Sequence, residues 1–466
     1  MPAAVAGIDV GTSRIKLDVY RGDELVERRS WANEFLRSGG VVEQDPELVR
    51  ARVLEALDVA RGLGARCVGL STYRGSVVVW RAGGGKVTNV VTWMDRRSLE
   101  LYRTLPLRAR AASRLPVLGS TLSPESPMVK LRILLGERRD LREGLASGRF
   151  RAWNIDAYLV EALTGGYKSD PSNKALMGIV HPRDLRPLWL VARLLGLPRI
   201  PIPDTLYHDE VVEAGGFTLG VVIGDQQATN HGTGCLEPGC VRVGMGSGLF
   251  ASLVTGPRLE LSPGRGLVPL VIYRDRASSI YGLEGYITGL GRAVEWFIDN
   301  FFRGSYNILD EVSREAGRPP VVLPFFWGLR YPRRTSGLAG VLGIEPHHTL
   351  RDIAKGVAHS IAASIAFQVR LLSPASPGRV RVVVTGGLSR LHGLVSLTAS
   401  YLGRNVERTI DPDTAALGVA GIAARNCGVE GPSPAVTEVV DPAEGVDIIE
   451  PERFFEWIGS LGSANP

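Results

Sequence analysis

The sequence predicts an α/β protein with two domains of similar design. The chain has 466 residues, more than a single domain of ordinary size contains. Each half includes a strand, a glycine-bearing turn and a second strand, IDVGTSRIKLDVY at 8–20 and CVRVGMGSGLFASLVTG at 240–256. A single turn of this kind is usually only a hairpin, whereas its repetition indicates related domains. We place the boundary near residue 218, which gives domains 1–218 and 219–466.

The first half begins with three strand-like segments, the last two joined by a hairpin at Arg21-Gly22-Asp23. A helix is predicted next, with Asp45 as N-cap and Pro46 in the first helical position. A buried strand, CVGLST at 67–72, follows it. Strands and helices therefore alternate, as an α/β domain requires.

The second half opens with a strand and a polar loop that leads into a helix, LGVVIGDQQATNHGTG at 219–234. A long helix is predicted over 349–372 from apolar residues at helical spacing. A strand, a glycine turn and another helix follow over 379–403.

Composition limits the class of protein. Apolar residues form 44% of the chain, yet no apolar run reaches the roughly 18 residues of a membrane span. The N-terminus lacks the basic region of a signal peptide, so we expect a cytoplasmic protein without a membrane partner. The net charge of +6 is spread along the chain, which argues against nucleic acid as a partner.

Four cysteines are present, and none has His or Cys at the spacing of a zinc site. We expect buried free thiols in a reducing compartment.

Eight segments occur together in an order and spacing that resemble the FGGY family of carbohydrate kinases, and within it the glycerol kinases most. They are GIDVGTS at 7–13, YRGSVVVW at 73–80, VTWMDRR at 91–97, SDPSN at 169–173, GDQQA at 224–228, GCLEPG at 234–239, GSG at 246–248 and VTGG at 384–387. The resemblance implies two RNase H-like domains of the ATPase fold that actin, hexokinase and Hsp70 share, with a nucleotide cleft between them. It also implies ATP-dependent phosphorylation of a hydroxyl on a small sugar or polyol. A homodimer is left open.

The resemblance assigns three glycine-bearing turns to ATP. Glycine lets the backbone approach phosphate closely, and N–H groups and hydroxyls can then donate to its oxygens. The expected nucleotide residues are Gly11, Thr12, Ser13, Lys16, Gly246, Ser247, Gly248, Gly386 and Gly387.

Two aspartates are expected to take part directly in phosphoryl transfer. Asp9, at the end of the first strand, is the candidate ligand of Mg²⁺, which usually retains much of its water; the alternative is an aspartate that caps the hairpin. Asp225 is the candidate general base for the acceptor hydroxyl; here the alternative is an N-cap of the following helix.

The expected acceptor residues are Arg74, Trp93, Asp225, Gln226 and Phe250. The sequence departs from the glycerol kinases at Gly75, where they have Glu, and in 123–126, where they have an aromatic residue. Both changes enlarge the predicted pocket. Glu125 either supplies some of the lost hydrogen bonds or is a solvated loop residue.

Two other functions are considered. An actin- or Hsp70-like nucleotide switch would lack the acceptor segments, and a catalytically weak regulator or sugar sensor would not need Asp9, Lys16 and Asp225 together.

Overall fold

The computed structural model describes residues 3–105, 107–112, 122–261, 266–331, 335, 337–376 and 378–462. Within them the strands β1 to β22 are Ala4–Val10, Arg14–Arg21, Glu24–Ala32, Leu36–Ser38, Val41–Gln44, Cys67–Thr72, Val78–Arg81, Val90–Val91, Phe150–Trp153, Lys168–Ser169, Asp204–Thr205, Val212–Ala214, Phe217–Gly224, Cys240–Met245, Leu249–Gly256, Val268–Arg274, Ser279–Ile287, Val321–Phe325, Leu338–Leu342, Arg381–Thr385, Val406–Thr409 and Thr437–Val440. The helices α1 to α15 are Pro46–Gly62, Arg97–Arg103, Leu107–Ala112, Pro127–Glu137, Asp140–Ala146, Ile155–Thr164, Pro171–Leu176, Trp189–Leu195, Asp225–Gly232, Leu290–Phe301, Asn307–Val312, Leu350–Leu372, His392–Leu402, Thr414–Cys427 and Pro451–Gly462.

Among the described residues, the first large sheet has six strands in the order β12-β13-β6-β1-β2-β3. Its central strand β1 is buried along its whole length, which suits a strand covered on both faces. Strand β1 runs antiparallel to β2 and parallel to β6. The predicted hairpin is confirmed between β2 and β3, where Gly22 has a φ of 58°. The predicted start of α1 is also confirmed, because the Asp45 side chain accepts from the Glu47 N–H.

In the part of the chain that the structure describes, the second large sheet has seven strands in the order β16-β17-β15-β14-β20-β21-β22. Strand β14 runs antiparallel to β15 and parallel to β20, the same relation that β1 has to β2 and β6. The repeated strand–turn–strand pattern of the sequence thus corresponds to a repeated arrangement in space.

Helix α14 lies near the C-terminal end of the sequence but packs on the first sheet. A Cβ added at Gly7 would overlap the Ala416 carbonyl, and one added at Gly69 would overlap that of Val419. Glycine at these two strand positions therefore lets the helix lie directly on β1 and β6. This packing places the start of α14 beside the glycine turn that follows β1.

Strand β13 pairs in parallel with β6 and so belongs to the first sheet. The boundary predicted near residue 218 lies within this strand. A division by sheets therefore falls later along the chain, between Gly224 and Cys240. A run of apolar residues identifies a buried strand but does not say which sheet it joins.

The expectation of free thiols is wrong. Cys67 of β6 forms a disulfide with Cys427 at the end of α14, and Cys235 forms one with Cys240. The first pair is 360 residues apart in sequence, so only the fold brings it together. Because disulfides are rare in cytosolic proteins outside hyperthermophiles, the cysteines no longer support a reducing compartment.

Among the described helices, none is both long enough and apolar enough to span a bilayer.

Candidate active site

Residues from both sheets line two adjoining cavities of about 390 and 280 Å³. The larger contains the expected acceptor residues and the turn after β1, and the smaller contains the glycine turns after β14 and β20. The residues common to both cavities are Asp9, Lys16, Asp225, Gln226, Ser247 and Phe250. All the residues that the sequence proposes for ATP, metal and acceptor therefore lie in one continuous region.

The turn at Gly11–Ser13 is held by side chains from outside it. The Trp93 indole N–H donates to Thr12 Oγ1 over 2.8 Å, and Gln44 Nε2 donates to the Thr12 carbonyl over 2.7 Å. Lys16, on the outgoing strand β2, forms an ion pair with Asp413, which precedes α14. The turn is thus held in place beside the cation Lys16, an arrangement that is compatible with an anion at the turn.

The turns at Gly246–Gly248 and Gly386–Gly387 face the smaller cavity. Gly386 has a φ of 96°, and a Cβ there would lie 2.8 Å from the Met245 carbonyl oxygen. Only glycine fits this left-handed, closely packed position. Sequence reasoning did not identify the neighbouring Asp413 and Thr414, which also line the cavity.

Asp225 is the first residue of α9, and the N-cap of that helix is Gly224. The alternative role as N-cap therefore does not apply. Its Oδ1 accepts from the Gln226 N–H over 2.7 Å and lies 3.3 Å from Arg74 Nε. Burial raises the pKa of Asp225, and the Arg74 charge opposes this shift. A carboxylate whose pKa lies closer to neutrality is a better general base.

Asp9 lines both cavities, and its Oδ1 accepts from Ser71 Oγ over 2.7 Å. Burial raises the pKa of Asp9 to about 6, although the Ser71 hydrogen bond acts in the opposite direction. The described residues include no cluster of three or more metal-binding side chains. A single carboxylate at this position is compatible with Mg²⁺, because this ion is commonly held by one or two carboxylates, substrate phosphates and water.

Arg74 connects the general-base candidate to a carboxylate that sequence reasoning missed. Its Nη2 donates to both oxygens of Glu284, over 3.1 and 2.8 Å, while its Nε faces Asp225. Glu284 is 4% exposed on β17. The available signal was a glutamate within an otherwise apolar strand, since such a residue is rarely buried without a partner.

Three aromatic side chains form one side of the larger cavity. Trp93 meets Phe250 edge-on at 6.0 Å, and Phe250 stacks on Tyr286 at 5.7 Å between ring centres. Tyr286, on β17, was also missed by sequence reasoning. It supplies an aromatic ring to the pocket, although segment 123–126 has none.

The SDPSN segment supports the ends of strands β6 and β13, which Arg74 and Asp225 follow closely in sequence. Asp170 caps α7 by accepting from the backbone N–H groups of Ser172 and Asn173. Ser172 Oγ accepts from the Gly224 N–H over 2.9 Å, and Asn173 Nδ2 donates to Thr72 Oγ1 over 3.0 Å. This buried network therefore joins the ends of β6 and β13.

Gly75, beside Arg74, has a φ of 72°. Its carbonyl accepts from Lys130 Nζ over 2.7 Å, and an added Cβ would lie 3.4 Å from the Trp93 Cβ. The missing carboxylate at this position is thus accompanied by a backbone conformation that favours glycine.

We expect Gly75→Ala to lower the free energy of unfolding by roughly 1–3 kcal/mol, because alanine is strained at positive φ. Thermal unfolding followed by circular dichroism measures the effect. Gly136→Ala is the matched control, since Gly136 is in helix α4 with open space around it and should be unchanged or more stable. Equal unfolding temperatures for the two variants would contradict the assigned strain.

Comparison with known proteins gives the same family from sequence models and from individual relatives. The family model for the N-terminal domain of FGGY carbohydrate kinases matches residues 4–214, and the C-terminal model matches 251–427. An uncharacterized sugar kinase of Archaeoglobus fulgidus is 29% identical over 86% of this chain and 87% of its own length. A glycerol kinase of Gloeobacter violaceus is also 29% identical, over 92% of this chain and 89% of its own.

Solved structures show the same fold. Plasmodium falciparum glycerol kinase with ADP has a TM-score of 0.84 at 17% identity and covers 100% of this chain and 99% of its own. Xylulose kinase from Rhodospirillum rubrum has a TM-score of 0.80 at 18% identity and covers 99% and 98%. The predicted fold is confirmed as the two-domain arrangement shared with actin, hexokinase and Hsp70. With both family models matched in order along most of its length, the chain belongs to the FGGY family of carbohydrate kinases.

Proposed function

We propose that this chain transfers the γ-phosphoryl group of ATP in line to a hydroxyl of a small sugar or polyol, with Asp225 as general base. The observation that carries the proposal is the position of Asp225 in the wall common to the two cavities. A base there lies between an acceptor in the larger cavity and phosphates at the smaller one. The relatives named as glycerol kinase and xylulose kinase support this class of acceptor.

At the acceptor end, Gln226 and Arg74 orient hydroxyl groups, and Trp93 and Phe250 contact the carbon chain. Asp225 accepts the proton of the attacking hydroxyl as the new O–P bond forms. Because Arg74 also holds Glu284, its guanidinium is fixed before the acceptor binds. Such fixed donors need little reorganisation in the transition state.

At the nucleotide end, Thr12, Ser13 and Ser247 donate to phosphate oxygens, and Lys16 neutralises part of their charge. Gly386 and Gly387 allow the adenosine to approach the backbone. Asp9 would hold Mg²⁺, which neutralises phosphate charge when bound.

The acceptor is identified by measuring ADP release with triols, tetritols, pentitols, ketopentoses and nucleosides, each against a control without acceptor. If the protein is a kinase, the rate of ADP release should increase with the concentration of at least one added acceptor. Equal ADP release with and without every acceptor would instead indicate a nucleotide switch, and no release would indicate a sensor.

We expect Asp9→Asn to raise the Mg²⁺ concentration for half-maximal activity by roughly tenfold, because a neutral amide is a weaker ligand. In the unmodified protein this concentration should rise as the pH falls through about 6, where Asp9 becomes protonated. Mg²⁺ titrations at several pH values test both statements. The control is Asp58→Asn on the exposed side of α1; an Asp9 variant that titrates like this control would refute the assignment.

A further inference from the structure

The larger cavity is bounded on one side by three polar side chains that meet across the cleft. Arg330, in the loop after β18, donates through Nη1 to the Tyr286 hydroxyl over 2.5 Å. The same nitrogen lies 3.3 Å from Glu125 Oε2. Glu125 belongs to the first half of the chain and Arg330 to the second, so this boundary is made by both. Glu125 is therefore a residue of the pocket wall that is paired with Arg330, and its side chain is partly exposed.

A further cavity of about 320 Å³, which we call the far cavity, lies behind this boundary. Five residues line both cavities, Trp93, Glu125, Tyr286, Thr288 and Arg330. Side chains rather than a strand or helix thus separate the two spaces. Rotation of Glu125 and Arg330 would join them, because both are long side chains with several rotatable bonds.

Half of the residues that line the far cavity are aromatic or apolar. Beyond the common boundary its apolar and aromatic lining residues are Met94, Leu99, Tyr102, Pro124, Trp327 and Leu329, and its other lining residues are Asp95, Arg96, Ser98, Gly328 and Thr335. Of its charged lining residues, Glu125 pairs with Arg330 and the buried Asp95 pairs with Arg97, whereas Arg96 is exposed. Apolar walls with a few polar groups are typical of sites for neutral organic ligands, and aromatic faces suit a ring.

From the continuity of the two cavities and the chemistry of the second, we propose that the native acceptor is a polyol or sugar that carries a second neutral ring, bound among Trp93, Tyr102 and Trp327. This inference rests on the proposed kinase function and names its substrate class. The hydroxyl to be phosphorylated lies beside Asp225, and the ring lies beyond the Glu125–Arg330 pair. A free triol or pentitol leaves the far cavity without a ligand group.

The test compares free acceptors with ring-bearing ones. Glycerol and the best free acceptor of the ADP-release screen are each measured beside their monophenyl ether and their monoglucoside. For at least one ring-bearing compound we expect kcat/KM to be tenfold or more above that of the free parent. The ratio of kcat/KM for the ring-bearing compound to kcat/KM for its free parent is then measured in two variants. Leu99→Trp fills the far cavity, and Trp327→Leu removes a ring from it. In both variants the ratio should fall toward one.

Leu107→Trp is the matched control, because Leu107 is 76% exposed on α3 and lies outside the cavity lining; it should keep the ratio. Phosphorylation of free acceptors with poorer use of every ring-bearing one would overturn this inference and leave the kinase proposal standing. ADP release that depends on no acceptor of either kind would overturn both. The comparison in the unmodified protein decides the question even if a variant fails to fold.

Discussion

Replacing Asp225 with asparagine is expected to lower turnover by roughly 10²–10⁴-fold while the affinity for ATP changes little. Asparagine has nearly the same shape, and its carbonyl oxygen can still accept from the Gln226 N–H and face Arg74. The variant removes the ability to take up the acceptor proton, which matters only in the transition state. Steady-state kinetics with a coupled ADP assay, together with nucleotide binding by calorimetry, separate the two quantities.

The pH profile adds an independent check. The base must be ionised, so kcat/KM of the unmodified protein should fall as the pH decreases through the raised pKa of Asp225. This dependence should be lost in Asp225→Asn at saturating Mg²⁺. Asp184→Asn, on the surface, serves as the control for removing one carboxylate. If Asp225→Asn keeps most of its turnover, Asp225 is not the base.

Replacing Arg74 with methionine should lower both the stability and the activity of the protein by a large amount. Its side chain is 8% exposed and faces Asp225 and the side chain of Glu284, which is 5% exposed when counted without the backbone. Removing one partner of a buried ion pair costs about 3–5 kcal/mol, because the other charge stays buried without compensation. We expect a loss of stability of that size in urea unfolding. Activity should fall at least tenfold as well, since a donor to the acceptor is lost.

The double variant Arg74→Met with Glu284→Gln separates the two effects. Removing the Glu284 charge should restore much of the stability, because no buried carboxylate is then left without its cation. It should not restore activity, which depends on the guanidinium itself. The acid limb of the pH profile of Arg74→Met should also move to higher pH, since Arg74 normally lowers the pKa of Asp225. Full recovery of activity in the double variant would show that Arg74 acts only through stability.

Local patterns predicted the elements of this fold well. The cap at Asp45, the hairpin at Gly22 and the long helix α12 all depend on neighbouring residues, and all are present. The position of β13 in the first sheet depends instead on pairing with β6, about 150 residues earlier, which no local pattern encodes. The disulfide between Cys67 and Cys427 escaped prediction for the same reason.

The candidate site shows a similar division. Residues within recognisable motifs, such as Asp9, Arg74 and Asp225, lie together around the cavities as the resemblance implied. Glu284, Tyr286 and Arg330 lie outside those motifs, and their relevance follows only from contacts across the cleft. Such contacts join residues more than 40 positions apart, so sequence spacing could not reveal them.

Helix α14 bears on how the chain folds during synthesis. Domains generally fold as they leave the ribosome, the N-terminal one first. Here one face of the first sheet is covered by a helix that ends at Cys427, so that face is incompletely covered until most of the chain has been made. A fragment that stops near residue 236 would contain each described strand of that sheet and still lack helix α14. We therefore expect the first domain to complete its folding late in translation, although most of its sequence is made first.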